Sequence, residues 1–240
     1  LVGDSLGMVM LGYDNTVSVT MADMLHHCKA VARGTKHAFL IGDMPFMSYQ
    51  ADTTEAVRNA GRFLQEGGMD AVKLEGGREM AATIKAIVSV GIPVMGHLGL
   101  TPQTATSLGG YKVQGKTAVS AHHMLEDALI LQAAGCFAIV LEAVPAPVAA
   151  AISKHLDLPT IGIGAGVECD GQVLVYHDML GMFDRFTPKF VKQYASTGSD
   201  ITTAIATFCT DVQTHKFPAE KHTYSINQEE LDAFLQAIKE

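Results

Sequence analysis

Hydrophobic and polar positions repeat one phrase along this chain: a helical stretch, a Gly- or Pro-marked turn, a short apolar run, then a polar residue. The apolar runs predict seven strands, at Leu1–Gly3, Ala38–Gly42, Ala71–Leu74, Ile92–Gly96, Ala138–Leu141, Thr160–Ile163 and Val173–Tyr176. Between them lie helical patterns. Ala22–Ala32 reads as a helix, and Asp52-Thr-Thr-Glu55 has the form of a capping box opening another that stops near Gly67-Gly68. Arg78–Val90 places Met80, Ile84, Ile87 and Val88 at helical spacing. Thr117–Ala134 and Pro147–His155 continue the series, and two terminal helices are expected around Ile201–Val212 and Gln228–Ile238. The latter carries Leu231, Phe234, Leu235 and Ile238 on one face, suited to packing on the main body or on a neighbouring subunit.

Strands alternating with helices indicate an α/β fold with a parallel sheet. Polar strand ends recur along most of the chain. That favours a closed (β/α)8 TIM barrel, whose chemistry gathers at one rim. The runner-up, an open doubly wound sheet, concentrates its site at a topological switch point. Residues 1–240 are read as a single barrel domain, with 199–240 as a C-terminal helical extension. The chain opens inside an apolar run and without Met, so a first barrel strand is expected upstream of Leu1.

Composition narrows the function. The net charge of −8 argues against a nucleic-acid footprint, which is ordinarily basic. No apolar stretch reaches the roughly 18 residues of a membrane span. Neither a nucleic-acid nor a membrane partner is expected. Cys28, Cys136, Cys169 and Cys209 form no C-x-x-C pair, which suits a reducing, cytoplasmic compartment.

The candidate chemistry lies in the strand-end residues. Asp4, Asp43 and Glu75 close three apolar runs, and three acids meeting on one rim repel unless a cation or proton separates them. All-oxygen ligands suit Mg²⁺, with Mn²⁺ as the alternative. Helix caps or surface ion pairs are the structural alternative for each acid. Ser5 follows Asp4 and is either a ligand contact or a turn serine. Lys73 lies two residues before Glu75 and so points to the same side of the strand. It serves an anionic substrate, a Schiff base or a structural ion pair. His97 closes IPVMGH and either lines a site or is a satisfied structural histidine. Glu142 follows AIVL and precedes AVPAPV; an acid in such apolar surroundings is a stronger base. The segment IGIGAG fails G-x-G-x-x-G at Val167, which leaves a dinucleotide site a weak reading. The Gly-rich loop at 108–116 is either a flap or a plain turn.

Nine segments in series carry a resemblance: VGDSLGM, DMPFMSY, VKLEGG, GHLGLTPQ, GGYKVQG, LEAVP, IGIGAG, DGQVLVYHD and PKFVKQY. Together they resemble the ketopantoate hydroxymethyltransferase family. The resemblance implies a (β/α)8 barrel of the phosphoenolpyruvate/pyruvate type. It implies Mg²⁺ on Asp4, Asp43 and Glu75, and a 2-oxo acid, 3-methyl-2-oxobutanoate, contacted by Asp4, Ser5, Asp43 and Lys73, with His97 lining the site. Glu142 falls on the family's proton acceptor. The implied co-substrate is 5,10-methylenetetrahydrofolate, and the implied assembly is a homodecamer. A Mg²⁺-dependent 2-oxo acid lyase on the same barrel, turning over without folate, and a silent oligomeric scaffold are the competing readings. LEAVP carries Ala143 where some relatives have Cys, and the last helix extends past the family's compact ending.

Overall fold

The computed structural model describes residues 1–238. The described elements are, in chain order, α1 (Leu6–Val9), α2 (Met21–Gly34), β1 (Ile41–Asp43), α3 (Thr53–Gln65), β2 (Ala71–Lys73), α4 (Ala81–Ser89), β3 (Val94–Gly99), α5 (Ala118–Ala134), β4 (Ala138–Glu142), α6 (Ala146–His155), β5 (Thr160–Ile163), β6 (Gly171–Gln172), α7 (Tyr176–Met179), α8 (Thr197–Gln213) and α9 (Gln228–Ala237). The six strands are all parallel and pair strictly in sequence order. Such an order belongs to a (β/α) barrel wall. A doubly wound sheet reverses its order at the switch point.

Helix starts follow local chemistry. Thr20 and Asp23 close a reciprocal capping box on α2, and Thr117 with Ser120 does so on α5. At α3 only half of the expected box forms: Asp52 accepts from the Glu55 amide at 2.9 Å. Gly135 ends α5 at φ 102, a left-handed conformation that a side chain would resist.

Strand alternation divides the core in two. Outward-facing Val72, Leu74, Ile139 and Leu141 pack with Met24, Phe63, Ile84 and Leu131 of the surrounding helices. Inward-facing Ile41, Ala71, Met95, Ala138 and Val140 form a second cluster inside the sheet's curve. Each inward column ends in a polar residue two positions on: Ile41 leads to Asp43, Ala71 to Lys73 and then Glu75, Met95 to His97, Val140 to Glu142. The period-two geometry of the strands thus places the polar set on one interior rim.

Several expected boundaries move. Leu1–Gly3 makes only one bridge, Val2 to Gly42, though in parallel register beside β1. The strand expected from Ala38 begins at Ile41, because Leu40 is tied to the Asp70 carboxylate at 2.7 Å before the ladder starts. Arg78–Met80 is a 3-10 turn ahead of α4 rather than its first turn. The strand expected at Val173–Tyr176 is instead β6 at Gly171–Gln172. Its ladder ends after the Val173 amide reaches the Gly162 carbonyl, and Tyr176 begins α7. The terminal helices form, but neither α8 nor α9 buries any residue, so α9 does not pack its apolar face on the barrel. Ile201, Ile205, Phe208 and Val212 recur along α8 and are exposed.

Candidate active site

The register pairs Asp43 of β1 directly with Lys73 of β2. Lys73 Nζ donates to both oxygens of Asp43, at 2.7 and 2.9 Å, and lies 3.8 Å from Glu75 Oε1. Burial works against the lysine's charge, but Asp43, Glu75 and Asp4 outweigh it and hold Lys73 above its ordinary range. Lys73 therefore stays cationic. Asp4 reaches the same place from the turn after Val2, where its backbone N–H donates to Asp43 Oδ2 at 3.2 Å. Burial, then Asp43 and Glu75, push the Asp4 carboxyl well above the usual carboxylate range despite Lys73 and Gln103. The interior cluster is short of positive charge.

His97 stands between two acids. Its Nδ1 is 3.4 Å from Glu75 Oε1 and its Nε2 is 3.3 Å from Glu142 Oε2. Burial and Lys73 lower the imidazole's affinity for a proton, but the flanking Glu142 and Glu75 prevail and push it up to about 9. Burial raises Glu75, but the adjoining His97, then Lys73, bring it net below the usual range. Neither His97 nitrogen nor Glu75 Oε1 makes a hydrogen bond, since the contacts are too long or bent. Glu142 ends β4, more open than the other acids, and β3 reaches it closely. Gly99 takes φ 95, and a Cβ there would collide with the Glu142 carbonyl. That carbonyl accepts from the Leu100 amide at 2.8 Å, and Ala143 beyond it sits at φ 49. The base candidate is thus fixed by a locally strained backbone.

The structure brings together Asp4, Asp43, Lys73, Glu75, His97 and Glu142. Ser5 sits beside them as the residue preceding α1, its side chain making no cap hydrogen bond. Two further residues escape the sequence reading. Gln103, in the 3-10 turn Pro102–Thr104, donates from Nε2 to Asp4 Oδ2 at 2.9 Å and from its backbone to Glu75 Oε2 at 3.1 Å. Tyr49, after β1, donates its hydroxyl to Gln103 Oε1 at 2.7 Å and accepts from the Glu75 amide at 3.1 Å. Burial first, then Glu75, raise the phenol well above its ordinary value and keep it protonated. Both close segments already quoted for the resemblance, Tyr49 in DMPFMSY and Gln103 in GHLGLTPQ, but their role follows from the need of buried acids for neutral donors, which needs the fold to be seen.

Two loops border the rim. Tyr111, in the Gly-rich 108–116 segment, is exposed, yet its phenol is raised by partial burial and then by Asp4, Glu142 and Glu75. Gln114 anchors that segment, its amide donating to the Ala143 carbonyl at 3.0 Å. In IGIGAG, Gly164 and Gly166 take left-handed φ values and abut Phe190 and Ala146, which identifies a close-packed turn rather than a phosphate cradle.

Among the described residues no three His, Cys, Asp or Glu side chains are grouped closely enough, as placed, to hold a metal ion. The donor chemistry nonetheless suits a hard cation. Three buried carboxylates converge, Glu75 Oε1 has no hydrogen-bond partner, and the surplus of negative charge is unrelieved at Asp4.

A lysine, a histidine and four acids gathered on the interior rim of a parallel βα wall are the arrangement of a barrel enzyme's active site. The sequence profile described as ketopantoate hydroxymethyltransferase matches residues 1–220. A relative in Carboxydothermus hydrogenoformans, named 3-methyl-2-oxobutanoate hydroxymethyltransferase, is 60% identical over 97% of this chain and 84% of its own. One of the same name in Oleidesulfovibrio alaskensis is 55% identical over 96% and 80%. The chain belongs to the ketopantoate hydroxymethyltransferase family. The fold itself is shared with a structure described as a phosphonomutase from Burkholderia cenocepacia (TM-score 0.52, 15% identity, 88% of this chain and 82% of that one).

Proposed function

We propose that this chain transfers a hydroxymethyl group to 3-methyl-2-oxobutanoate, giving 2-dehydropantoate in pantothenate biosynthesis, with 5,10-methylenetetrahydrofolate as donor. The observation carrying the reading is that Glu142 stands on the same rim as the Asp4–Asp43–Lys73–Glu75 cluster, with His97 bridging to it. A metal ion such as Mg²⁺, held by Asp4, Asp43 and Glu75, would supply a Lewis acid for the keto oxygen. Lys73, cationic and buried, offsets the charge of the substrate carboxylate, with Ser5 beside it as a further contact. Glu142 takes the C3 proton, and the resulting enolate carbon bonds to the one-carbon unit from the folate. Water enters, and tetrahydrofolate and 2-dehydropantoate leave. The cationic imidazole of His97 lies against Glu142 Oε2 and holds that carboxylate at the rim. Family resemblance extends the reading to a homodecamer.

Metal-dependent exchange of the C3 proton in D₂O, followed by NMR without folate, isolates the first step. Glu142→Gln is expected to slow it by about 10²–10⁴-fold with the fold intact. Undiminished exchange removes Glu142 from the role of base. Turnover of the wild type without folate returns the lyase reading.

A further inference from the structure

Gln103 touches two acids that belong to different strand ends, and does so from two different groups. Its side-chain amide holds Asp4 Oδ2 while its backbone N–H holds Glu75 Oε2. The second Nε2 proton goes to the Met44 carbonyl at 2.9 Å. Oε1 accepts from the Tyr49 hydroxyl at 2.7 Å and from Gln50 Nε2 at 3.3 Å. A flipped amide would set Oε1 against a carboxylate and a carbonyl, so the network admits one orientation. Tyr49 spends its proton on Gln103 and receives the Glu75 amide, tying both ends of the clamp together. Gln103 and Tyr49 are themselves buried, so the clamp is not exchanged for water.

The chemistry of a neutral amide matters here. It gives the acids donors without cancelling their charge. A lysine or arginine in its place would compete with a cation, and a glutamate would repel Asp4. Each clamped carboxylate has one oxygen held and another left, and in Glu75 the remaining Oε1 has no hydrogen bond. We propose that Gln103, braced by Tyr49, is a positioning residue. It sets Asp4 and Glu75 relative to each other for a divalent ion and, through it, for the 2-oxo acid. The inference rests on the cation reading given above.

The test compares the full-length wild type with Gln103→Met, Tyr49→Phe and the double variant, using Mg²⁺ alone as the probe. Isothermal titration calorimetry reads the Mg²⁺ Kd, circular dichroism reads folding, and steady-state kinetics separate kcat from KM at varied Mg²⁺. Gln103→Met is expected to weaken Mg²⁺ binding by about 10–100-fold, as loss of an outer-shell partner does, with part of the rate regained at saturating Mg²⁺. Tyr49→Phe is expected to show a smaller loss in the same direction. The double variant should be little worse than Gln103→Met, because both act through one hydrogen-bonded chain. A merely structural glutamine would lower the melting temperature and leave Kd unchanged in the folded protein, and that result overturns the proposal. If Gln103→Met does not fold, an unchanged Kd in Tyr49→Phe overturns it instead. A folded wild type that binds no divalent ion sinks the cation reading and this inference with it.

Discussion

At the scale of single residues, the site is governed by an imbalance of charge. Lys73 Nζ donates to both carboxylate oxygens of Asp43, at 2.7 and 2.9 Å, in a buried setting. Removing one partner of such a pair leaves an uncompensated interior charge, at a cost of about 3–5 kcal/mol. Lys73→Met is therefore expected to lose stability on that order in urea unfolding at pH 7; a change under about 1 kcal/mol would refute the pair's importance. The sign follows from the lysine's raised folded-state value. Its contribution is fully present below the ordinary value of 10.5 and fades only as pH rises past it, so neutral pH lies inside the stabilised window. Asp4, Asp43, Glu75 and Glu142 were readable from the chain because each closes an apolar run. Gln103 and Tyr49 lie in two of the quoted segments, but their roles were not readable, because neutral residues between strands and helices carry no periodicity and no charge to mark them.

At the scale of elements, the alternation of interior and exterior residues was legible wherever a strand is flanked by two others. β3 and β4 pair over five residues, and their columns end in His97 and Glu142 as the pattern implies. The sheet margins were less readable. Val2 contributes a single bridge, and β6 is two residues long, because an edge has one partner and side-chain alternation does not reveal where pairing stops. What secures the β5–β6 margin is a side chain: Asp170 Oδ2 accepts from the Thr160 amide at 2.8 Å and its hydroxyl at 3.0 Å. These bonds hold the Asp170 carboxyl below its ordinary 3.8. Its stabilisation is present above that value and is lost as pH falls through the lower folded-state one. Asp170→Ala is expected to cost about 1 kcal/mol at pH 7, discounted for solvent exposure. The gap to wild type should narrow between roughly pH 5 and pH 2 in denaturant titrations. A gap that stays constant over that window would contradict the assignment.

At the scale of the whole molecule, the barrel wall and the terminal helices are separable in their packing. α8 and α9 bury no residue, and no described helix is long and apolar enough to cross a membrane. Reading 199–240 as an extension, we expect a chain ending at Ser199 to lose only the helical dichroism of α8 and α9 and to melt within a few degrees of wild type. Collapse of the fold would assign the extension to the barrel. Light scattering on both chains measures the homodecamer expected from the family and shows whether these helices take part in it. The strictly sequential strand order also sets a timetable for synthesis. The acid cluster, its lysine and the Gln103 clamp are all encoded before Glu142, so a chain emerging from the ribosome carries that end of the rim first. Glu142 joins only when β4 docks on β3, and a nascent chain short of that strand carries the acid cluster without its fourth carboxylate.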